Sequence, residues 1–499
     1  MTTTADASAP VAPDPDAEYR LLIGGEWVAG GNGTYDIVNP GTEAVVGRAP
    51  DASAADAQAA AQAAADAFPA WSRTTPAERA AILNRAADLL EARFGDLVPL
   101  VQAETGATLR VTKQMQVPQA ATRFRYYAQG IDEELLIPTA PRVMPTTALA
   151  PGGIISGVAR RAPVGVVAAI SSYNFPLTNT AGKVGPALAM GNTVVVKPAP
   201  QDPLAILALG EVFTEAGLPP GVLNVIVGAG SEAAEALVAS PQVDMISFTG
   251  STNVGQRIGQ VAGHDMKRLL MELGGKGAGI VFDDADLKTT IGAIASVWAF
   301  HSGQICTAPT RVLAQRGIYD QLVAGLGAAA GHLKVGDPLA VDTVVGPVIT
   351  DVHRGRVEGY VQAGRDQGAT VVAGGQRPDL ERGYFVAPTL LADCRIDMTV
   401  AQEEIFGPVV VVIPFDDEDE AVGLANATAF GLFDYVFSTD TARAYHVAQQ
   451  LRTGSVGINT VQQYDELPFG GFKMSGVGRD RGRYGFHAYS EMQSIVWTA

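Results

Sequence analysis

The most constraining feature of this chain is a regular alternation of apolar strands and helices between residues 164 and 271. The apolar runs predict strands at residues 164–170, 193–197, 223–227, 243–248 and 267–271. The segments between them predict helices at residues 177–190, 204–216, 232–239 and 254–262. Strands that are apolar on both faces must be covered on both, so this pattern predicts an α/β fold with a parallel, doubly wound sheet. Such sheets bind ligands beyond the carboxyl ends of their strands.

A second α/β segment follows the first. Its predicted strands lie near Ile280, Val312, Val371, 409–413, 435–438 and 456–459. Before the alternation, residues 19–49 carry short strands separated by Gly and Pro turns, and helices come next. One of these helices starts at the capping box Thr75-Pro76-Ala77-Glu78. The chain is therefore expected to form two α/β domains, preceded by a disordered tail at residues 1–18.

Residues 140–163 interrupt the alternation with Pro, Thr, a Gly-Gly pair and the adjacent cations Arg160 and Arg161. This composition predicts an extended hairpin that projects from the body of the protein. The C-terminal run Ser494-Ile495-Val496-Trp497-Thr498 predicts another exposed apolar strand, and an unpaired apolar edge usually acquires a partner. We interpret residues 140–163 and 487–499 as a β-arm for assembly into a homodimer or homotetramer. Pairing of the two edges within one chain is an equal alternative.

Composition excludes several kinds of partner. The formal net charge of −17 opposes binding to nucleic acid and to anionic membranes. No run of about 18 apolar residues is present that would span a bilayer. The two cysteines, Cys306 and Cys394, exclude a disulfide framework, and no Cys/His cluster has metal-ligand spacing. Residues 1–16 lack the features of a signal or transit peptide, so a soluble cytoplasmic protein is expected.

A carboxylate and a thiol bracket the segment that joins the two α/β halves. The segment opens with Met271-Glu272-Leu273-Gly274-Gly275-Lys276 and closes with His301-Ser302-Gly303-Gln304-Ile305-Cys306-Thr307. Taken alone, a lone cysteine is most often a small buried hydrophobic residue, and a glutamate beside two glycines is often the polar end of a strand. Their significance therefore depends on the rest of the sequence.

The predicted strand at 164–170 leads into Ser171-Ser172-Tyr173-Asn174-Phe175-Pro176 instead of a G-x-G-x-x-G loop. Two glycine turns occur later, at 228–230 and at 248–255. The second turn starts a helix after a buried strand, where free backbone N–H groups can meet a pyrophosphate. Most such turns are only turns, so the pattern by itself does not identify a nucleotide site.

Seven motifs follow one another in a fixed order. They are Tyr173-Asn174-Phe175-Pro176, Val196-Lys197-Pro198, Phe248-Thr249-Gly250-Ser251-Thr252, Glu272-Leu273-Gly274-Gly275-Lys276, Gly303-Gln304-Ile305-Cys306, Glu404-Ile405-Phe406-Gly407-Pro408 and Pro468-Phe469-Gly470-Gly471-Phe472-Lys473-Met474-Ser475-Gly476. In content and spacing the series resembles the NAD(P)-dependent aldehyde dehydrogenase superfamily over nearly the whole chain. The resemblance implies a dinucleotide-binding domain at residues 19–139 and 164–272 and a catalytic domain at 273–473.

The resemblance also implies a covalent route for aldehyde oxidation. Cys306 as a thiolate attacks the carbonyl carbon, because an aldehyde has no leaving group except hydride. The side-chain amide of Asn174 and the backbone N–H of Cys306 then donate hydrogen bonds to the oxyanion. After hydride transfer, Glu272 deprotonates the water that hydrolyses the thioester. Family members that pass the acyl group to coenzyme A tend to lack this carboxylate, so Glu272 favours a free carboxylic acid as product.

Cofactor contacts are implied in the same way. Lys197 is expected to bind the adenosine ribose, Ser251 the pyrophosphate and Glu404 the nicotinamide ribose. The other expected cofactor residues are Tyr173, Pro200, Gly230, Gly250, Gly255 and Phe406. Many NAD-preferring relatives carry, in place of Pro200, a glutamate that hydrogen-bonds the ribose and repels a 2′-phosphate. Proline does neither, so NAD is the expected cofactor and NADP is an alternative.

The substrate is less well defined by the sequence. Tyr173, Phe175 and Phe469 are expected to line the aldehyde tunnel, which favours an apolar or aromatic aldehyde, although such residues are as often plain pocket wall. No cation that would bind a semialdehyde carboxylate can be placed in the tunnel from the sequence. The alternatives are a semialdehyde dehydrogenase and a protein that kept the fold but lost the activity. Asp480 occupies a position where relatives often have a glutamate that accepts protons, and Cys394 is interpreted as structural.

Overall fold

The computed structural model describes residues 14–498, except for the side chains of residues 131–134. Most of the predicted tail at residues 1–18 therefore lies outside the described residues. The N-terminal strands and helices are β1 (Leu21–Ile23), β2 (Glu26–Val28), β3 (Thr34–Val38), β4 (Val45–Pro50), α1 (Ala54–Trp71), α2 (Pro76–Ala92), α3 (Phe94–Thr105), α4 (Leu109–Met115) and α5 (Val117–Glu134). The predicted capping box is present at the start of α2, where the Glu78 carboxylate accepts the Thr75 N–H at 2.7 Å.

The strands and helices predicted between residues 164 and 271 form the first sheet. Two strands precede it, β5 (Leu136–Met144) and β6 (Gly153–Pro163). The alternation itself contains β7 (Val166–Ile170), α6 (Pro176–Ala189), β8 (Thr193–Lys197), α7 (Leu204–Glu215), β9 (Leu223–Val225), α8 (Glu232–Ala239), β10 (Met245–Thr249), α9 (Thr252–His264) and β11 (Arg268–Glu272). The five strands are parallel in the order β11-β10-β7-β8-β9, and β1 and β2 extend this sheet beyond β9. The parallel, doubly wound sheet is confirmed.

The second α/β segment forms a separate seven-stranded sheet. Its elements are β12 (Ala278–Val281), α10 (Leu287–Ala299), β13 (Arg311–Gln315), α11 (Tyr319–His332), α12 (Asp351–Asp366), β14 (Thr370–Ala373), β15 (Thr389–Ala392), α13 (Thr399–Gln402), β16 (Val409–Phe415), α14 (Glu418–Asn426), β17 (Phe433–Phe437), α15 (Thr441–Gln450) and β18 (Ser455–Ile458). The order is β14-β15-β16-β13-β12-β17-β18, with only β14 antiparallel to its neighbour. Cys394 is buried in the core of this sheet, which agrees with a structural role.

The C-terminal segment follows the second sheet and returns to the first. It contains β19 (Gly476–Val477), α16 (Gly482–Ala488) and β20 (Ser490–Thr498). Strand β19 joins the first sheet beside β11, with Gly476 opposite Glu272. Strand β20 pairs with β6, which in turn pairs with β5, so the two predicted edges meet within one chain. This small sheet leaves apolar side chains such as Val143 and Val496 exposed. The role of this small sheet in assembly stays a prediction. The exact domain boundaries also stay predictions.

Two negative findings hold for the described part of the chain. Within residues 14–498, no helix combines the length and the apolar character needed to cross a bilayer. In the same range, no three or more His, Cys, Asp and Glu side chains are grouped as metal ligands would be.

Candidate active site

A cavity of about 1370 Å³ is lined by residues from both sheets and lies at the carboxyl ends of β7, β8 and β10. The predicted site residues on its wall are Cys306, Glu272, Asn174, Tyr173, Lys197, Pro200, Gly230, Gly250, Ser251, Glu404 and Phe406. Gly255 is not on this wall. A Cβ at Gly255 would lie 2.5 Å from the Leu273 side chain, so its small size lets α9 pack closely against the sheet.

An unusual turn presents Cys306 to the cavity. Helix α10 ends in a short 3₁₀ turn in which His301, Ser302 and Gly303 all have positive φ, at 48°, 58° and 72°. Two L-residues in this conformation require support from their surroundings. The Ser302 hydroxyl supplies part of it by donating to the Gly346 carbonyl at 2.8 Å. At Gly303 a Cβ would lie 2.2 Å from the Gly407 carbonyl oxygen, so only glycine fits.

Burial keeps the Cys306 side chain protonated at rest. It raises the pKa of the thiol to about 12, and the carboxylates of Glu404 and Glu272 act in the same direction. The guanidinium of Arg481 acts against them and lowers the thiol pKa. Because the thiolate is the nucleophilic form, a base must remove this proton before attack.

Glu272 is the last residue of β11, and its carboxyl group faces the cavity. The side chain is buried, and neither carboxyl oxygen has a hydrogen-bond partner within the described chain. Burial therefore raises the pKa of Glu272 well above its ordinary value, and the nearby Asp480 charge raises it further. A Cβ at Gly470 would lie 2.8 Å from Glu272 Oε1, so glycine there leaves room for the carboxyl group. A carboxyl group in this state binds a proton more readily than an exposed glutamate does, which suits a proton acceptor.

The amide of Asn174 is held in one orientation. Its Oδ1 accepts hydrogen bonds from Ser172 Oγ at 2.8 Å and from Asn179 Nδ2 at 3.2 Å. Its Nδ2 therefore points the other way, and donates to the carbonyl of Gln304 at 2.9 Å. Gln304 lies two residues before Cys306, so the amide donor is directed at the loop that carries the thiol. The role of Asn174 as an oxyanion donor stays a prediction.

The cofactor side of the cavity begins with a helix end that lacks a side-chain cap. Ser251 is the N-cap residue of α9, but its hydroxyl accepts no bond from the helix, and Thr252 and Asn253 line the cavity. The first N–H groups of α9 therefore remain available, and the helix dipole favours an anion there. Lys197 Nζ lies on the same side, 3.5 Å from the Gly228 carbonyl, and burial lowers its pKa to about 8.

Glu404 and Phe406 reach the cavity from the second sheet. Glu404 Oε1 accepts the Gly275 N–H at 2.9 Å, and burial raises the pKa of this carboxyl to about 7. Phe406 has a positive φ of 58°, and its ring packs perpendicular to Tyr173 with the centroids 5.9 Å apart. An anion-binding helix end, a lysine, an acceptor carboxylate and an aromatic wall fit the pyrophosphate, riboses and nicotinamide of a dinucleotide.

The model of the aldehyde dehydrogenase family matches residues 27–495. The chain belongs to the aldehyde dehydrogenase family. It is 37% identical over 504 residues to the phenylacetaldehyde dehydrogenase of Pseudomonas fluorescens, covering 99% of this chain and 98% of that one. It is 36% identical over 485 residues to the betaine aldehyde dehydrogenase of Bacillus subtilis, covering 95% and 96%. The resemblance seen in the sequence is confirmed, and with it the class of activity, oxidation of an aldehyde by an enzyme.

A solved structure agrees with this assignment. The betaine aldehyde dehydrogenase of Staphylococcus aureus, determined in complex with NAD⁺, superposes with a TM-score of 0.91 at 35% identity. The match covers 96% of this chain and 95% of that one.

In this member of the aldehyde dehydrogenase family, a buried polar network lies behind Glu272. Lys183 Nζ donates to Ser247 Oγ at 3.1 Å, and Ser247 Oγ is 2.7 Å from the Tyr489 hydroxyl. Burial lowers the pKa of Lys183, whereas the charges of Asp480 and Glu272 raise it. Asp480 is also buried, and its Oδ1 accepts the Arg481 N–H at 2.7 Å. Asp480 is thus close enough to Glu272 to influence its protonation.

The cavity lining also contains residues that the sequence did not reveal. Its apolar part includes Phe175, Phe300 and Phe469, of which Phe175 and Phe469 were predicted. Besides Arg356, whose guanidinium donates to the Glu404 carbonyl, three arginines line the cavity, Arg110, Arg123 and Arg481, contrary to the expectation that no cation could be placed there. Arg123 lies on α5, far from any motif. Arg481 directly follows the Gly478-Arg479-Asp480 segment, so the sequence could have indicated this one of the three arginines.

Proposed function

We propose that this protein oxidises an aldehyde to its carboxylic acid with NAD⁺, through a covalent intermediate on Cys306. The observation that carries the proposal is the convergence of a thiol, an oriented amide donor and an unpaired buried carboxyl group on one cavity. On the opposite side of that cavity, an uncapped helix end supports a bound dinucleotide. The retention of all these groups argues against a protein that kept only the fold.

The first stage is formation of a tetrahedral adduct. Glu272 accepts the Cys306 proton, directly or through a water, and the thiolate forms a bond to the carbonyl carbon. The carbonyl π electrons move to the oxygen, and the Asn174 amide and the Cys306 backbone N–H donate to that oxyanion. NAD⁺, when bound, supplies the acceptor for the hydride that leaves this carbon. A thioester then remains on Cys306.

The second stage is hydrolysis of the thioester. Glu272, in its ionised form, removes a proton from water as the water oxygen bonds to the acyl carbon. The C–S bond breaks, the carboxylic acid leaves, and the sulfur recovers its proton. We assign Asp480, whose charge is close enough to raise the pKa of Glu272, the part of a secondary acceptor for the proton of Glu272. Asp480 replaces the more usual glutamate with a shorter side chain.

NAD⁺ is favoured over NADP⁺ for two reasons. The related Staphylococcus aureus structure holds NAD⁺. Moreover, among the described residues close to Lys197 in this cavity, Pro200 and its neighbours Pro198 and Ala199 add no further cation for a 2′-phosphate. Pro200 also provides no carboxylate to reject that phosphate, so some use of NADP⁺ is expected.

The substrate has an apolar body. The rings of Phe175, Phe300 and Phe469 form much of the wall opposite the cofactor side, and the Phe175 and Phe300 rings are stacked 6.3 Å apart. Phenylacetaldehyde dehydrogenase is among the relatives, which supports an apolar or aromatic aldehyde. A semialdehyde is the second candidate, and the arginines on the same wall favour it.

Two further proposals concern assembly and compartment. We propose a homodimer or homotetramer, because the sheet of β5, β6 and β20 exposes Leu136, Val143 and Val496 to solvent in the single chain. We propose the cytoplasm as the compartment, because the two cysteines are unpaired and form no disulfide framework.

The test is formation of reduced cofactor by the purified protein with benzaldehyde, hexanal and succinic semialdehyde, each with NAD⁺ and with NADP⁺. We expect turnover that Cys306→Ser abolishes, together with an acyl or thiohemiacetal adduct on Cys306 detected by intact-mass analysis. Cys394→Ala is the matched control, because Cys394 is buried in the second core and should leave turnover intact. Turnover that survives Cys306→Ser would assign the nucleophile elsewhere.

A further inference from the structure

Apart from Arg356 on α12, which donates to the Glu404 carbonyl, the arginines on the cavity wall belong to three different elements. Arg110 lies on α4, Arg123 on α5, and Arg481 at the start of α16. The protein as a whole carries a formal charge of −17, so its overall field repels anions. The cavity lining also carries the carboxyl groups of Glu272, Glu403, Glu404, Asp465 and Asp480, so an anionic ligand there depends on which individual guanidinium groups have free donors.

Arg123 has most of its donors available. Its Nη1 donates to the Thr178 carbonyl at 2.8 Å, and among the described residues this is its sole hydrogen bond. No carboxylate of the described chain forms an ion pair with it. Asp480 lies across Gly182 from Arg123, because a Cβ at Gly182 would be 2.6 Å from Arg123 Nη1 and 3.7 Å from Asp480 Oδ2. The other N–H groups of Arg123 remain free to bind a ligand.

One nitrogen of the Arg481 guanidinium already has hydrogen-bond partners. Its Nη1 donates to Gln463 Oε1 at 2.6 Å and to Asp465 Oδ1 at 3.2 Å, and its guanidinium stacks on the Phe469 ring 4.0 Å from the centroid. Within the described chain its Nε and Nη2 have no hydrogen-bond partner. The guanidinium is thus held in place while part of its planar fork stays free. It is also close enough to Cys306 to lower the thiol pKa.

From this arrangement we propose that the substrate is an anionic aldehyde, in which an apolar spacer joins the aldehyde carbon to a carboxylate that Arg123 and Arg481 bind. The inference rests on the proposed function, since it assumes that the aldehyde carbon reaches Cys306. The aromatic wall accommodates the spacer, and planar guanidinium groups match a carboxylate by paired hydrogen bonds. A quaternary ammonium aldehyde such as betaine aldehyde would meet cations and is a poor substrate.

Matched aldehydes that differ only in a carboxylate test the proposal. The pairs are hexanal with 6-oxohexanoate and benzaldehyde with 4-formylbenzoate, and betaine aldehyde is the cationic probe. Charge-assisted hydrogen bonds predict that kcat/KM for the carboxylated member exceeds that of its partner by about 10- to 100-fold. Arg123→Gln should remove most of that ratio, Arg123→Lys should keep part of it, and Arg481→Gln should lower it as well.

Arg125→Gln is the matched control for Arg123→Gln. Arg125 lies two residues along α5 and forms ion pairs with Asp88 and Glu91 outside the cavity, so its loss should leave the ratio unchanged. Equal or better turnover of the neutral members by the wild type would overturn the proposal, and so would a ratio that neither Arg123→Gln nor Arg481→Gln alters.

A binding measurement separates this proposal from the proposed function. Absence of turnover with every aldehyde overturns the proposed function. In that case calorimetric titration with adipate and hexanoate still decides the inference. Tighter binding of adipate by the wild type, lost in Arg123→Gln, supports an arginine site for a carboxylate. Equal binding of the two acids overturns it.

Discussion

Replacing Glu272 with glutamine separates the two chemical stages. Glutamine has the size of the protonated carboxylic acid, which is the form favoured by burial without a hydrogen-bond partner. It cannot accept a proton from water, so thioester hydrolysis loses its base. A positioned general base contributes roughly 10²- to 10⁴-fold to a rate, so steady-state turnover should fall by that factor. Adduct formation and hydride loss should still occur once on each enzyme, at a rate limited by solvent-assisted thiol ionisation.

The same substitution should not destabilise the fold. Burial raises the folded-state pKa of Glu272 above the ordinary 4.5, so the native state binds the proton more tightly than the unfolded chain does. This stabilisation is complete below the ordinary pKa and declines by about 1.4 kcal/mol per pH unit as the pH rises towards the folded-state pKa. Glutamine has no such titration. We therefore expect Glu272→Gln to be at least as stable as wild type at pH 8, with a weaker decline of stability between pH 5 and pH 8.

The assay is stopped-flow detection of reduced cofactor, combined with thermal unfolding at both pH values. Glu272→Gln should give a burst of about one reduced cofactor per active site, followed by a slow steady state. In the wild type the steady-state rate should rise with pH until Glu272 is ionised, and this rise should be absent in the variant. An unchanged steady-state rate would remove Glu272 from hydrolysis. Loss of the burst in a folded variant would instead show that proton removal from Cys306 depends on Glu272 more strongly than hydrolysis does.

Two further predictions concern the cofactor and the thiol loop. Pro200→Glu should place a carboxylate beside Lys197. It should lower kcat/KM with NADP⁺ by tenfold or more and leave kcat/KM with NAD⁺ unchanged. An unchanged ratio of the two kcat/KM values would show that this position does not contact the ribose. Gly303→Ala should lower the free energy of unfolding by at least about 1–3 kcal/mol. Residue 303 has a positive φ, and the added Cβ would lie 2.2 Å from the Gly407 carbonyl oxygen. At Gly292 in α10 an added Cβ meets open space, so Gly292→Ala should raise the free energy of unfolding by up to about 1 kcal/mol. Equal effects of the two substitutions on urea unfolding would contradict the steric argument.

The sequence predicted those parts of the fold whose pattern repeats. Strand β8 has the predicted limits, because a strand buried on both faces reads as a continuous apolar run. Helices α3 and α4 were not predicted, since Pro99 and Gly106 interrupt their segment. Strand β15 was also not predicted, although β12, β14 and β18, which have the same length, were. The pairing of β20 with β6 was one of two open alternatives, as an apolar edge does not specify its partner.

The same distinction applies to the candidate site, where only the residues within local sequence patterns were predicted. Residues in contiguous motifs, such as Glu272 and Cys306, were found because their neighbours in sequence are also their neighbours in the site. Arg123 was not found, because it reaches the cavity only through the packing of α5 against α6, and no local pattern distinguishes it from Arg125 on the same helix. The features that select a substrate are thus less visible in this sequence than the features that carry out the chemistry.

The two acidic groups at the centre of the site are coupled, and this coupling bears on the order of events. The charge of Glu272 raises the pKa of Cys306, and burial raises the pKa of both. Ionising both of these desolvated groups at once is unfavourable, whereas moving one proton from the thiol to the carboxylate leaves the total charge unchanged. Once the sulfur is bound to the acyl carbon it no longer titrates, so Glu272 can lose that proton through Asp480 and serve as the base for water. Formation of the carbon–sulfur bond therefore itself prepares Glu272 for hydrolysis, and one carboxyl group can serve both stages without a second catalytic base.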